Sequence, residues 1–386
     1  MTEDPDADVV DAVRDRLANR PGSLTPHRVA EALREAGRPV GDATVLAVHD
    51  ALRRDVLGAG PLEPLLRTPG VTDVLVNGPD DVYLDRGEGL ERTGIRFVDD
   101  EAVRRLAHRL AALGGRRLDD ATPYADTRLA DGTRFHAVLA PIARPGTVVS
   151  LRVPRARGFT LSELVQAGSV TDEGARLLRR VVSARLAFLV SGGTGSGKTT
   201  LLASLLSLVD PTERLVLVED ASELRPEHPH VVALEGRPAN IEGTGAVGVR
   251  DLVRQALRMR PDRLVVGEVR GGEVVELLAA LNTGHDGGCG TIHANSALDV
   301  PARIEALSLA AGLGRDATHS QLASAVDLVL HLARAPDGTR YLSQVAVPRR
   351  DSAGLVAMVP AVEFVAGVAR PGPGADLLAE RLDPCT

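Results

Sequence analysis

The period of the hydrophobic pattern changes along the chain. Over residues 6–58 apolar positions recur every three or four residues. Val9, Val13 and Leu17 share one helical face, Val29, Leu33 and Ala36 a second, and Val45, Val48, Leu52 and Val56 a third. Pro21-Gly22 ends the first segment, Thr25-Pro26 opens the second as N-cap and first-turn proline, and Asp42 caps the third. From 62 to 153 short alternating runs take over. Residues 71–77 and 82–85 read as strands, a helix capped by Asp99 or Asp100 carries Val103, Leu106, Leu110 and Leu113, and 127–139 reads as a hairpin about Asp131-Gly132. An Arg-, Pro- and Gly-rich stretch at 152–158 follows. Beyond it, apolar runs at 186–190, 215–219, 231–234, 264–267, 290–293 and 327–331 alternate with helical patterns at 250–259, 273–281 and 300–309. That alternation predicts a largely parallel α/β sheet. Pro336-Asp337-Gly338 marks a late hairpin.

The expected organisation is a helical unit over 1–58, a smaller α/β domain over 59–152, a linker at 153–160 and a larger α/β domain over 161–369. Residues 370–386, rich in Pro and Gly, are expected to be disordered. Composition narrows the function classes. A net charge of −7 argues against a nucleic-acid coat, and no apolar run approaches the ~20 residues of a membrane span. The acidic N-terminus lacks a secretory n-region, and two widely spaced cysteines, Cys289 and Cys385, point to reduced thiols in a cytoplasmic protein.

The stretch that organises the chain is LAFLVSGGTGSGKTTLLASLLSL, 186–208. An apolar strand breaks into Gly192, Gly193, Thr194, Gly195, Ser196 and Gly197, then Lys198, Thr199 and Thr200 open a leucine-rich helix. This is G-x-x-x-x-G-K-[ST] in the setting it needs. The glycines let backbone N–H groups turn onto a phosphate, and the helix N-terminus adds positive charge. Lys198 would reach the outer phosphates and the Thr199 hydroxyl a magnesium ion. All 45 basic residues except Lys198 are arginine. A compact ammonium fits inside a backbone cradle where a planar guanidinium does not.

Such a loop needs a carboxylate for the metal and one for the attacking water. LVLVEDASEL ends a strand in Glu219 and Asp220, and RLVVGEVRGGE ends another in Glu268, with glycine at 267 where a metal-binding aspartate would be sought. In TGHDGGCGTIHANS, His285, Cys289 and His293 lack a fourth ligand for zinc, and the flanking glycines suggest a loop that senses the terminal phosphate.

GGTGSGKTT, EDASEL, RPDRLVVGEVRG and TGHDGGCGTIHANS, in this order, resemble the motifs of the secretion superfamily of hexameric P-loop ATPases. The resemblance runs over residues 60–365, through LEGRPANIEGTGAVGVRDLVRQALRMRPDR and, upstream, VTDVLVNGPDDVYLDRG and DTRLADGTRFHAVLAPI. It implies a RecA-like P-loop domain after an N-terminal α/β domain. It also implies ATP hydrolysis with Mg²⁺ by a homo-hexamer that drives Tad/Flp pilus assembly or type II/IV secretion. Such a motor works at the inner face of the cytoplasmic membrane on a membrane-embedded platform protein, without direct nucleic-acid contact. On the matching positions, Lys198 and Thr199 bind nucleotide and metal, Glu268 is the metal-side glutamate, and Glu219 polarises water. Which of the two glutamates is the base stays open. His285 and His293 match the histidine box, and Arg128 and Arg134 the pair offered to the phosphates by the N-terminal domain. Lack of a four-cysteine zinc module points to the Tad/Flp-pilus and conjugation-like branch. A conjugation-type DNA-transfer ATPase and a non-hydrolysing nucleotide-dependent scaffold are the alternatives.

The arginine pair has a geometric consequence. A two-residue Asp131-Gly132 loop would put Arg128 and Arg134 on opposite faces of the hairpin. A three-residue loop, 130–132 with Gly132 left-handed, makes them direct cross-strand partners. Like charges so placed repel, unless an anion sits between them. The three-residue loop is the expectation. Arg250, Arg254 and Arg258, at four-residue steps, form either a solvated helix face or a subunit contact. Arg237, Arg260 and Arg270 are expected near the site, and Arg152 near the adenine or the domain junction.

Overall fold

The computed structural model describes residues 25–383 except 39, 43, 50–57, 88, 155–157, 238, 240–243 and 336, together with 9, 12, 13 and 16. The chain forms two compact units, Met1–Arg155 and Ala156–Thr386.

In the first unit, helix α1 (Pro26–Glu35) starts where Thr25 accepts the N–H of Arg28 and Pro26 takes the first position. Its buried Val29 and Leu33 meet Val13, Val45 and Val48, so stripes read from sequence share one small core. Leu17, Leu52 and Val56 lie outside the described residues. The sheet comprises β1 (Asp73–Asn77), β2 (Val82–Asp85), β3 (Leu90–Arg92), β4 (Tyr124–Arg128), β5 (Arg134–Val138) and β6 (Val148–Arg152), in the order β3-β2-β1-β6-β5-β4, antiparallel throughout.

Helix α2 (Asp100–Leu113) covers one face, clustering Val103, Leu106 and Leu110 with Val74, Phe135, Val149 and Leu151. Of the two candidate caps, Asp99 accepts the N–H of Ala102 at 2.8 Å. Asp100 is turned instead to the N–H and hydroxyl of Thr147, at 2.6 and 3.1 Å, tying the helix start to the β5–β6 connection.

The second unit opens with a short helix, Leu161–Gln166, capped by Thr160, continues with α3 (Asp172–Ser183) and carries a nine-stranded sheet. Its strands are β7 (Phe188–Gly192), β8 (Leu215–Glu219), β9 (Val231–Glu235), β10 (Arg263–Val269), β11 (Cys289–His293), β12 (Leu328–Arg334), β13 (Arg340–Arg350), β14 (Val356–Val365) and β15 (Val368–Pro371). The order is β15-β14-β13-β12-β7-β11-β10-β8-β9. From β12 to β9 all pairs are parallel; from β12 to β15 they are antiparallel. Helices cover both faces, which is why β7 and β8 are buried along their whole length and read as unbroken apolar runs. One face packs α3, α4 (Lys198–Leu206) and the C-terminal α9 (Ala375–Leu382); the other packs α5 (Val249–Ala256), α6 (Glu273–Leu281), α7 (Val300–Ala310) and α8 (Arg315–Ala325). Cys289 is a fully buried member of the first core, where burial pushes its thiol up to about 12. At this position it acts as a small apolar residue.

The C-terminal stretch corrects an expectation. Residues 370–383 are not a frayed tail: β15 runs to Pro371, and α9 buries Leu378 and Leu382 in the core. The Pro/Gly run misled because its glycines permit close backbone approach rather than freedom. A Cβ on Gly372 would stand 2.4 Å from the Pro360 carbonyl, and one on Gly374 2.9 Å from a Val347 methyl. The Arg180–Asp383 pair (2.7 Å) and the guanidinium of Arg381 on the Asp327 and Pro348 carbonyls hold the helix down.

Leu378→Ala should therefore cost about 2–4 kcal/mol in urea unfolding, as a buried core leucine does. An unchanged midpoint would show that α9 is not part of the folded unit.

Candidate functional site

Six parallel strands end along one edge of the second unit, and the candidate residues gather there. The strand–loop–helix around residues 188–206 has the form the motif requires. Gly192 sits where no side chain fits: a Cβ would stand 2.6 Å from both the Leu332 carbonyl and Ser196 Oγ. Gly193 and Gly195 face open space, and Thr194 is exposed. Gly197 enters α4 as a left-handed N-cap, φ +95°, with no side-chain cap over the helix N-terminus. Thr199 and Thr200 are half-buried in its first turn. Ser196 Oγ is buried and lacks a hydrogen-bond partner. Such a cradle, with N–H groups at a helix start and an orphan hydroxyl, fits an oxyanion.

Lys198 is buried and folded back on this cradle, Nζ donating to the carbonyls of Gly192 (3.1 Å) and Gly193 (2.9 Å). Its Nζ also lies 3.3 Å from His293 Nδ1. His293 Nε2 is 2.6 Å from Glu268 Oε1, and Glu268 Oε2 is 2.5 Å from Arg270 Nη2. The His293 approach is an ion-pair distance rather than an aligned hydrogen bond, so Glu268 Oε1 still lacks an aligned donor. Burial lowers the Lys198 pKa, with Glu268 opposing and Arg270 adding to the effect. Burial, then the Lys198 charge, lowers that of His293. The imidazole is therefore neutral at neutral pH, which lets Nδ1 accept from the ammonium and leaves Nε2–H toward Glu268.

Glu219 is buried at the end of β8. Its Oε1 accepts the N–H groups of Glu223 and Leu224, both at 3.0 Å, whereas Oε2 is buried without a partner. Burial pushes this carboxyl up against the pull of the two N–H groups. The glycine at 267 is explained here: a Cβ on it would stand 2.5 Å from Glu219 Cγ. Gly267 is the space that the Glu219 side chain fills, and its carbonyl in turn accepts the Thr291 hydroxyl at 2.6 Å.

Other candidates fall elsewhere. Arg128 and Arg134 are direct partners across the β4–β5 ladder, and Gly132 has φ +90°, so the three-residue loop is present. Both belong to the first unit. Arg152 continues their rung on β6, opposite Arg134 on one side and Asp73 on the other, which it pairs at 3.2 Å. His285 lies before β11 with Nδ1 3.2 Å from the Ala280 carbonyl, outside the Lys198–His293–Glu268 chain of contacts. Arg250 and Arg254 both grip Glu276 of α6, at 3.0 and 2.6 Å, so part of the arginine stripe braces two helices.

Sequence reasoning missed Arg263, 2% exposed at the start of β10. It pairs with Glu213 at 2.8 Å and donates to the Val182 carbonyl at 3.0 Å. Its guanidinium fills the place of a Cβ on Gly287, 2.8 Å away, in the histidine-box loop. Also missed was His331 on β12, whose Nδ1 lies 2.9 Å from Ser191 Oγ beside the phosphate loop. Neither stands out in a single sequence: Arg263 follows the polar Arg260-Pro261-Asp262, as a solvated strand start would, and His331 is one polar residue inside an otherwise apolar run.

The family described as Type II/IV secretion system protein matches residues 55–354. A putative conjugal transfer protein of Mycobacterium tuberculosis is 58% identical over 317 residues, which span 81% of this chain and 90% of that protein. The probable conjugal transfer protein TrbB of Sinorhizobium fredii is 31% identical over 287 residues, 72% of this chain and 84% of its own length. Among solved structures, the Legionella pneumophila ATPase DotB aligns with a TM-score of 0.53 over 74% of this chain and 78% of its own, at 20% identity. That last likeness is one of fold.

The state of Glu219 can be read from stability. With its folded pKa raised, the carboxyl contributes stability in full below the unfolded carboxylate range and loses it as pH rises through the folded value. Glu219→Gln does not ionise, so its Tm relative to wild type should rise by a few degrees between about pH 4 and pH 7. The change with pH carries the test, since the added amide can cost stability at both values. A difference that is constant across this range would mean that Glu219 is ionised without penalty.

Proposed function

The chain belongs to the type II/IV secretion system protein family, the secretion ATPases, and from that premise we propose that it hydrolyses ATP to drive assembly of a Tad/Flp-type pilus or a related secretion machine. The observation that carries the reading is the pairing of a phosphate loop, its one lysine resting on the loop's own carbonyls, with a buried glutamate that has an unsatisfied oxygen. In this reading Lys198 exchanges the Gly192 and Gly193 carbonyls for the outer phosphates of ATP, while the N–H groups at the start of α4 hold the chain of phosphates. Thr199 and Glu268 are the residues that would hold Mg²⁺. The metal, when bound, offsets charge between the β- and γ-phosphates.

Glu219, not Glu268, is then the base. Glu268 Oε1, like Glu219 Oε2, lacks an aligned donor, but Glu268 is ion-paired with Arg270 and serves the metal in this reading, which leaves Glu219 to accept the proton. Its raised pKa suits proton abstraction from water near neutral pH. As the water oxygen bonds to the γ-phosphorus and the bond to the β-bridging oxygen breaks, the water proton passes to Glu219. Neutral His293, between Lys198 and Glu268, feels both the departure of the ammonium and the charge at the metal side. Arg128 and Arg134 of the N-terminal unit would close on the phosphates, and ATP would favour the closed arrangement by its added affinity for it. The working form is a homo-hexamer at the inner face of the cytoplasmic membrane, acting on a membrane-embedded platform protein. Among the described residues no helix is long and apolar enough to cross a membrane, so membrane association would run through partners.

A motor for conjugal DNA transfer is the second reading, favoured by the names of the mycobacterial and rhizobial relatives. The net charge of −7 and 2% aromatic content speak against direct DNA binding, and salt-dependent binding of single-stranded DNA would reverse that judgement.

Steady-state ATP turnover measured against protein concentration tests the main reading. Turnover should rise steeply as rings form, fall at least about 100-fold in Lys198→Ala and Glu219→Gln, and fall in Arg128→Ala. Loss in Lys198→Ala alone would remove the arginine clamp and the base assignment. Inactivity of wild type at every concentration, with nucleotide still bound, would favour a non-hydrolysing scaffold.

A further inference from the structure

The seven residues Arg128 to Arg134, RLADGTR, return near the other end of the chain as RAPDGTR, Arg334 to Arg340. The fold repeats with them. In each hairpin the first arginine faces the last directly across the ladder. The glycine is left-handed, φ +90° at Gly132 and +91° at Gly338. Its N–H closes the loop on the carbonyl of Leu129 or Ala335, at 2.9 Å in both. Asp131 and Asp337 each accept the N–H of the following threonine but one, Thr133 and Thr339, at 2.9 Å. The Nε of the first arginine donates to the glycine carbonyl, at 3.1 Å from Arg128 and 3.3 Å from Arg334. One device, a cross-strand arginine pair closed by an Asp-Gly-Thr turn, is thus built in each of the two units.

The second copy stands beside the phosphate loop. Leu332 on β12 is level with Gly192 on β7, so Arg334 lies two residues past the edge where the loop begins. Alternation puts Arg334 and Arg340 on the face of the hairpin that also carries Leu332 and Leu342. Those leucines pack in the core that contains Leu201, Leu202 and Leu205 of α4. Beyond the sheet edge, that face meets the N-terminal end of α4. Arg340 reaches it: its Cδ lies 3.7 Å from where a Cβ on Gly197, the N-cap, would stand. Both arginines are exposed. Two like charges opposite each other and next to an uncapped helix N-terminus repel, and an anion between them would turn that repulsion into attraction.

We propose that Arg334 and Arg340 form a second anion-binding rung, which grips the phosphates of the nucleotide held in the phosphate loop of the same chain. The ligand's identity as a nucleotide rests on the function proposed above. The pair would supply bidentate guanidinium contacts, complementing the single compact charge of Lys198.

Equilibrium binding of ATP and ADP to the full-length protein, by calorimetry over a series of KCl concentrations, tests this. Arg340→Gln should weaken both nucleotides about tenfold and flatten the salt dependence, Arg340→Lys should recover part of the loss, and the double variant Arg334→Gln/Arg340→Gln should lose more. If the double variant binds within twofold of wild type while Lys198→Ala abolishes binding, the second rung falls and the phosphate-loop reading stands. If Lys198→Ala also binds normally, the nucleotide reading itself fails and takes the rung with it. Should the double variant melt early, Arg340→Gln against Arg340→Lys decides: equal affinities overturn the proposal, and recovery by lysine supports it.

Discussion

The register of β7 between its two neighbours sets what can meet at the sheet edge. Gly192 is level with His293 on β11 and with Leu332 on β12. One strand pairing therefore aligns the mouth of the phosphate loop with the histidine that touches Lys198. The other aligns it with the hairpin that carries Arg334 and Arg340. A one-residue slip would exchange the two faces of β7, sending Leu189 into the core of α3, α4 and α9 and Phe188 and Val190 into the opposite one. Because both faces are tightly buried, the register is strongly specified, and the site inherits that rigidity.

Within this frame, the polar groups at the edge are arranged for a partner that carries negative charge. Lys198 satisfies its hydrogen bonds on carbonyls that ordinarily would not need it, His293 is kept neutral beside it, and Glu219 holds an oxygen in a dry place without a donor. The buried oxygen of Glu219 without a partner costs folding free energy, which a water brought in with a phosphate group would relieve. Elsewhere in the same unit, two buried ionisable side chains are fully engaged. Arg263 has Glu213 and a backbone carbonyl, and His319 lies between Glu305 (3.0 Å) and the N–H of Val356 (2.9 Å). The contrast separates groups kept for structure from groups kept for chemistry.

Much of this was legible in the order of residues. The phosphate loop, the strand-end glutamates and the arginine hairpin all follow from short-range rules, where spacing fixes geometry within one turn or one ladder. The reason for Gly267 was not legible, because the constraint comes from Glu219, 48 positions earlier and one strand away. Nor was the role of Gly372 and Gly374, which read as loop punctuation yet sit against β14 and β13. The second arginine turn was visible as a repeat of seven letters. What made it informative was the position of β12 beside β7, which only the tertiary pairing supplies.

Lys198 has one more consequence. It is the sole lysine, so apart from the chain's own α-amino group the protein carries a single primary amine, on a residue that is 7% exposed at the end of the phosphate loop. Amine-directed chemistry, whether an acylating reagent, a cross-linker or an enzymatic modification of lysine, therefore finds no other side-chain amine. Any such adduct on a side chain reports the state of the loop itself, so occupancy can be followed by mass alone.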